Sequence, residues 1–183
     1  FSLRVVSFLF NFLKIKKFKT LKKDFLELFW FGNTTINFKS IKKNIDKADV
    51  VIIFTFHKIV SNKIFEEIMK SNKVVFLRPL DLELATGGCH FNENCEEFMR
   101  DCNECPQLNF LNFLNITQKN LKEKKRIVDT YKPKVLVQNT YVEKIFSKSS
   151  IFKNSTTKIV RLDTRPERKK IYKKYEARNI LKL

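Results

Sequence analysis

Two short apolar runs flanking one amphipathic helix constrain this chain more than any other feature. Ala48 to Phe54 (ADVVIIF) and Lys73 to Leu77 (KVVFL) are of strand length and nearly free of polar residues, a pattern expected of parallel strands buried on both faces. Between them, Ser61 to Lys70 (SNKIFEEIMK) sets Ile64, Phe65 and Ile68 on one helical face and offers Ser61 as an N-cap. Strand, helix and strand in that order make a βαβ crossover, which implies a parallel sheet with a right-handed connection. The expected fold class is therefore α/β, a parallel sheet with flanking helices.

The remaining segments extend that unit. Ser40 to Lys47 predicts a short helix feeding the first strand, and Thr117 to Thr130 a charged helix capped by Thr117. Lys134 to Val137 (KVLV) predicts a third strand, Tyr141 to Phe146 a short helix, Lys158 to Leu162 (KIVRL) a fourth strand, and Glu167 to Leu183 a basic helix. Residues 1 to 30 carry apolar side chains at helical spacing, Val5, Leu9, Phe12 and Leu13, then Phe18, Leu21, Phe25 and Leu28, until Phe31 to Thr35 breaks the pattern. A length of 183 residues supports one α/β domain and not two. The chain starts at Phe1 and stops at Leu183 inside a helical pattern, so we expect a piece that is incomplete at both ends.

The formal net charge of +18 raises the question of nucleic acid or an anionic membrane surface. The lysines are spread along the whole chain among Asn, Ile and Phe, which equally fits a drift in composition unconnected with binding; phosphate readers concentrate arginine and aromatics on one face. No stretch approaches the roughly 20 apolar residues that span a bilayer. Phe1 to Leu13 (FSLRVVSFLFNFL) is interrupted by Arg4, Ser7 and Asn11 and fits a core helix or a membrane-surface helix. Lys14 to Lys19 (KIKKFK) offers no signal-cleavage site, so a cytoplasmic protein is expected.

Arg78 to Asn115 shows no sustained period, and a loop that long in a compact domain is usually functional. It holds all four cysteines and two of the three glycines, Gly87 and Gly88, next to Cys89 and His90. Adjacent glycines suit either a simple turn or a tight turn beside a ligand. The cysteines run Cys89, Cys95, Cys102, Cys105, and only Cys102-Asn-Glu-Cys105 has the two-residue spacing of a zinc knuckle. That spacing leaves three readings open: a structural zinc, with His90 able to replace one thiolate; paired or redox-sensitive cysteines; or buried inert thiols. No partner base can be located that would make a cysteine a nucleophile.

Asp81, Thr86-Gly87-Gly88-Cys89-His90-Phe91, Cys95, Cys102, Cys105 and Pro106-Gln107-Leu108 together resemble a loop of the family 4 glycosyltransferases of the colanic-acid-biosynthesis type, in which an Asp precedes a TGGCHY stretch, spaced cysteines and a closing CPQL. The likeness runs from about residue 45 to the end. Asp49 to Phe54 resembles the strand before that family's acceptor cleft, and His57 falls near its Leu-His-Trp position. Ser149 to Lys153 and Leu162-Asp163-Thr164 resemble its interdomain linker, and Glu176-Ala177-Arg178 the first helix beyond. The chain departs from the family in having Leu80 where a His commonly precedes the Asp, and Arg161 where the linker usually has Gly.

The resemblance implies that residues 1–160 are the acceptor-side, Rossmann-like N-terminal half of a GT-B fold, lacking its first strand and loop, with a cysteine-rich loop at 78–115. Residues 161–183 would be the linker and the first helix of a missing donor-binding domain. The complete enzyme would transfer a sugar from a nucleotide-sugar donor to a saccharide or lipid-linked saccharide in polysaccharide biosynthesis, without a catalytic cofactor, near an anionic membrane. The fragment alone would be inactive. His57, Gly87, Gly88 and His90 would shape the acceptor pocket, and the cysteines would hold the loop rigid. Asp81 would either orient an acceptor hydroxyl or merely cap the following turn.

Two readings from other classes compete. A basic zinc-knuckle module that binds nucleic acid is favoured by charge and by Cys102 to Cys105, and opposed by the buried strands and scattered lysines. The other is an inactive relic of a transferase. The P-loop, the dinucleotide fingerprint and the zinc-protease motif are all absent, and with His57 and His90 the only histidines, triad chemistry has little material.

Overall fold

The βαβ unit expected from the sequence is present and is repeated. In the computed structural model, which describes residues 29–34, 36–108, 114–161 and 173–181, the order is α1 (Phe38–Lys47), β1 (Val50–Ile53), α2 (Asn62–Met69), β2 (Val74–Leu77), a 3-10 turn (Glu97–Met99), α3 (Ile116–Tyr131), β3 (Lys134–Val137), α4 (Thr140–Lys148), β4 (Thr157–Ile159) and α5 (Lys174–Leu181). The helices expected within residues 1–28, the segment Leu162-Asp163-Thr164 and residues 167–172 and 182–183 of the basic tail lie outside the described residues. No helix among the described residues is long and apolar enough to cross a membrane.

The four strands form one parallel sheet in the order β1-β2-β3-β4, with Val50 beside Val74, Phe76 beside Lys134 and Val135 beside Thr157. The α/β class read from the sequence therefore stands. Because the order never reverses, right-handed crossovers bring α2, α3 and α4 to the same face. That face carries the core: Ile53, Val75, Leu77, Val135 and Val137 are buried, while Val50, Ile52 and Val74 on the opposite face are each nearly half exposed. The expectation that the first two strands are buried on both faces is thus corrected. Their continuous apolar sequence hides a one-sided burial, since no described helix covers the second face.

Local chemistry explains most helix starts. Asn37 accepts from Lys39 N–H at 3.0 Å, Ser61 from Ile64 N–H at 3.1 Å, and Asn139 from Val142 N–H at 2.9 Å, each satisfying an otherwise free donor of the first turn. The exception corrects a second expectation. Thr117 lies inside α3, which begins after Asn115 without a side-chain cap, and the Thr117 hydroxyl instead donates to Cys102 O at 2.6 Å.

Thr117 belongs to a polar stripe on the buried side of α3. Asn120 donates to Trp30 O at 3.3 Å. Lys124, 1% exposed, donates to the carbonyls of Glu83 and Thr86 and sits 4.6 Å above the Trp30 ring. Spacings of three and four residues put all three on one helical face, amid Leu121, Ile127 and Val128. The long loop after β2 is tied to the core through these groups, and from the other side by Ser149 and Ser150, whose hydroxyls donate to Ala85 O (2.6 Å) and Phe98 O (3.1 Å). Ser149 to Phe152, which resembled linker sequence, is buried here.

Burial brings the Lys124 amine down to about 8 from its ordinary 10.5, with Glu83 opposing the shift. A depressed folded-state value contributes stability that is present above 10.5 and lost as pH falls through about 8. Lys124→Met should cost about 1–3 kcal/mol for each buried carbonyl left without its donor. The stability gap between wild type and variant, measured by denaturant unfolding, should widen as pH rises from about 8 to 10.5.

Candidate functional site

The C-terminal ends of β1 and β2 open into adjoining loops, the place where open α/β sheets meet their ligands. The β1 loop carries Thr55, Phe56 and His57; the β2 loop carries Asp81 and Glu83 and turns back through Thr86-Gly87-Gly88-Cys89-His90. Leu82 N–H donates to His90 O at 2.9 Å, closing the turn. The Thr86 hydroxyl donates to Cys89 O at 2.8 Å and accepts from Gly88 N–H at 3.2 Å.

Asp81 caps the following turn, one of the two roles weighed from the sequence, and with its other oxygen it holds His90. Its Oδ1 accepts from Glu83 N–H at 2.9 Å, and its Oδ2 lies 2.6 Å from His90 Nδ1. The far side of that ring, Nε2, lies 3.2 Å from His57 Nδ1 and 3.5 Å from Glu83 Oε2. His57, Asp81 and His90, separated by up to thirty-three residues in sequence, thus form one chain of side chains.

Glu83 is completely buried. Its Oε1 accepts from the Thr55 hydroxyl (2.5 Å), His57 N–H (2.8 Å) and Phe56 N–H, so the carboxylate pins the β1 loop in place. Its Oε2 has no hydrogen-bond partner. The contact with Asp81 raises the His90 pKa above 6.5 against the opposing effect of burial. Burial and the neighbouring His90 lower that of His57 below 6.5. As pH falls, His90 is therefore the first of the two rings to take up a proton.

The other residues singled out in the sequence lie beneath this cluster. Gly87 and Gly88 are buried. A Cβ on Gly87 would come within 2.7 Å of Thr117 O, and one on Gly88 would run into Trp30 O. Gly88 also has φ +142°, which L-residues rarely adopt. The glycine pair thus lets the loop lie flat on α3 and on Trp30, whose N–H donates to Gly88 O at 2.9 Å.

Cys89, Cys95, Cys102 and Cys105 all line one cavity of about 20 Å³ beside the glycines, room for about one water. None of the four is joined in a disulfide. Burial pushes Cys89 up to about 11, Cys102 up to about 12 and Cys105 above its ordinary value. No three of their sulfurs lie within 4.8 Å of one another, whereas Zn–S bonds of about 2.3 Å imply tetrahedral edges of about 3.8 Å. A zinc ion here would have to draw the sulfurs inward.

Sequence reasoning passed over Glu83 and Lys124. The signal for Glu83 was a carboxylate set among Leu82, Leu84 and Ala85, an apolar context that favours burial. Lys124 is one lysine among many in its helix, and only its spacing from Thr117 and Asn120 marks it. Comparison with protein-family models, curated proteins and solved structures gave no match to this chain.

The two histidines should titrate on opposite sides of 6.5. The raised His90 contributes stability fully present below 6.5 and lost as pH rises through its folded value; the lowered His57 contributes stability present above 6.5 and lost as pH falls through its own. In metal-free buffer, histidine NMR should show this order, and Asp81→Asn should move the His90 titration to lower pH. Coincident titrations near 6.5 would contradict the geometry.

Proposed function

We propose that this chain is the acceptor-side domain of a glycosyltransferase, presenting a saccharide hydroxyl to a nucleotide-sugar donor held by a second domain. One observation carries this reading: the Asp81–His90 pair stands at the C-terminal edge of the parallel sheet, within the same Thr-Gly-Gly-Cys-His loop that resembles the family 4 enzymes.

The geometry changes the role given to Asp81. Both of its oxygens are engaged within the protein, so it serves as a positioning residue that fixes the His90 ring and its protonated nitrogen. His90, with His57 beside it, is then the group that meets the acceptor hydroxyl, accepting its hydrogen bond and then its proton while the ring is neutral. Donor activation falls to helix dipoles and basic side chains of the donor domain. The cysteine loop keeps the turn rigid, by packing or around a zinc ion, and the lysine-rich surface suits an acceptor anchored at an anionic membrane.

Transfer by the complete gene product tests the proposal, using a panel of nucleoside-diphosphate sugars with polysaccharide or lipid-linked acceptors. Acceptor-dependent release of nucleoside diphosphate is expected. Asp81→Asn should lower kcat by about 10²- to 10⁴-fold, shift the pH–rate profile toward acid and leave the donor KM unchanged. A purely structural Asp81 would leave the profile in place. No transfer from any donor, combined with RNA binding that weakens steeply with salt, would favour the nucleic-acid module instead.

A further inference from the structure

The atoms left over at the centre of the cluster point to a ligand. Glu83 Oε2 is a fully buried carboxylate oxygen without a hydrogen-bond partner, and a native protein rarely leaves such an atom unsatisfied. It faces His90 Nε2 at 3.5 Å, which in turn faces His57 Nδ1 at 3.2 Å. A single shared proton joins two of these three atoms and leaves the third without a partner. A cation placed among them engages all three.

We infer that His57 Nδ1, Glu83 Oε2 and His90 Nε2 bind a divalent transition-metal ion of the zinc class. One ligand atom from each of His57, Glu83 and His90 lies within 4.8 Å of the other two, a closeness reached by no other such His, Cys, Asp or Glu group among the described residues. Metal–ligand bonds of about 2.0–2.1 Å imply tetrahedral edges of about 3.3–3.4 Å, and the observed separations of 3.2 and 3.5 Å bracket that length. Two imidazoles and one carboxylate are a donor set suited to zinc and its neighbours rather than to calcium or magnesium.

The surroundings are those of a metal site as well. Asp81 Oδ2 at 2.6 Å from His90 Nδ1 completes a carboxylate–histidine–metal relay, which fixes the tautomer that frees Nε2 for the ion. Glu83 is held rigid by the β1 loop through its other oxygen. Three protein ligands would leave a fourth position open for water or a hydroxyl. A saccharide hydroxyl that meets His90 directly in the metal-free site meets the ion's open position in the loaded one.

Cobalt(II) titration of the 183-residue chain, cleared of metal beforehand, tests the site, because cobalt absorbs in the visible and zinc competes for the same ligands. One equivalent should bind with a ligand-field band and no thiolate charge-transfer band. Asp81→Asn should weaken binding about 10- to 100-fold, and Glu83→Gln and His57→Gln by at least that factor. Circular dichroism checks that the variants fold. If Glu83→Gln does not, His57→Gln, altered at a partly exposed ring, carries the test alone. Affinity unchanged in His57→Gln, no binding by the wild type, or a thiolate band that assigns the ion to the cysteine cavity would each overturn the inference. The readout is affinity, so a failure here is separate from a failure of the transferase reading.

Discussion

The contact on which the site depends is a buried lysine under a loop whose described residues form, as regular structure, a single 3-10 turn. A long segment between β2 and α3 cannot satisfy its carbonyls through a ladder, and those turned inward need donors. Lys124 supplies donors to two of them, Glu83 O and Thr86 O, from the middle of a helix packed in the core. The desolvation of its amine is partly offset by the Trp30 ring face and by the buried Glu83 carboxylate. Since those carbonyls flank the turn between Asp81 and His90, the same lysine that anchors the loop sets the spacing of the site.

That coupling accounts for the asymmetry at Glu83. One carboxylate oxygen accepts three donors from the β1 loop while the other accepts none. The first oxygen makes the two loops a single rigid piece, and rigidity brings His57 to His90. The second then stands at fixed range from two imidazole nitrogens, so proton and metal compete for one small volume. Raised basicity at His90 and lowered basicity at His57 describe the proton-loaded form. A metal requires the neutral rings, and its affinity falls as His90 takes up its proton.

Much of this fold was legible in the sequence because it is encoded locally. Apolar runs at β1 and β2, the helical face of Ile64, Phe65 and Ile68, and the Ser61 cap each act within a few residues, and all are present. What the pattern could not carry was which face of the sheet is covered, since Val50 and Val75 look alike in a row of apolar residues and only the direction of the crossovers separates them. The site was half legible. Asp81, His57 and His90 were marked by residue type and do come together. Glu83 and Lys124 were not, because their roles arise from contacts spanning twenty-eight and forty-one residues, which no local period reports.

The cysteines show why spacing alone does not fix a ligand set. Four thiols converge on one cavity, yet burial raises the titrations of three of them, favouring the protonated, uncharged form. An ion would need to displace those protons and contract the cavity, working against both desolvation and the packing of Gly87 on Thr117. At the histidine cluster the balance runs the other way: the separations already match a metal's, one ligand is a carboxylate oxygen with no competing partner, and Asp81 stabilises the required tautomer. Of the two places in this loop where sequence or structure suggests a metal, preorganisation favours the one that lacks a familiar spacing motif.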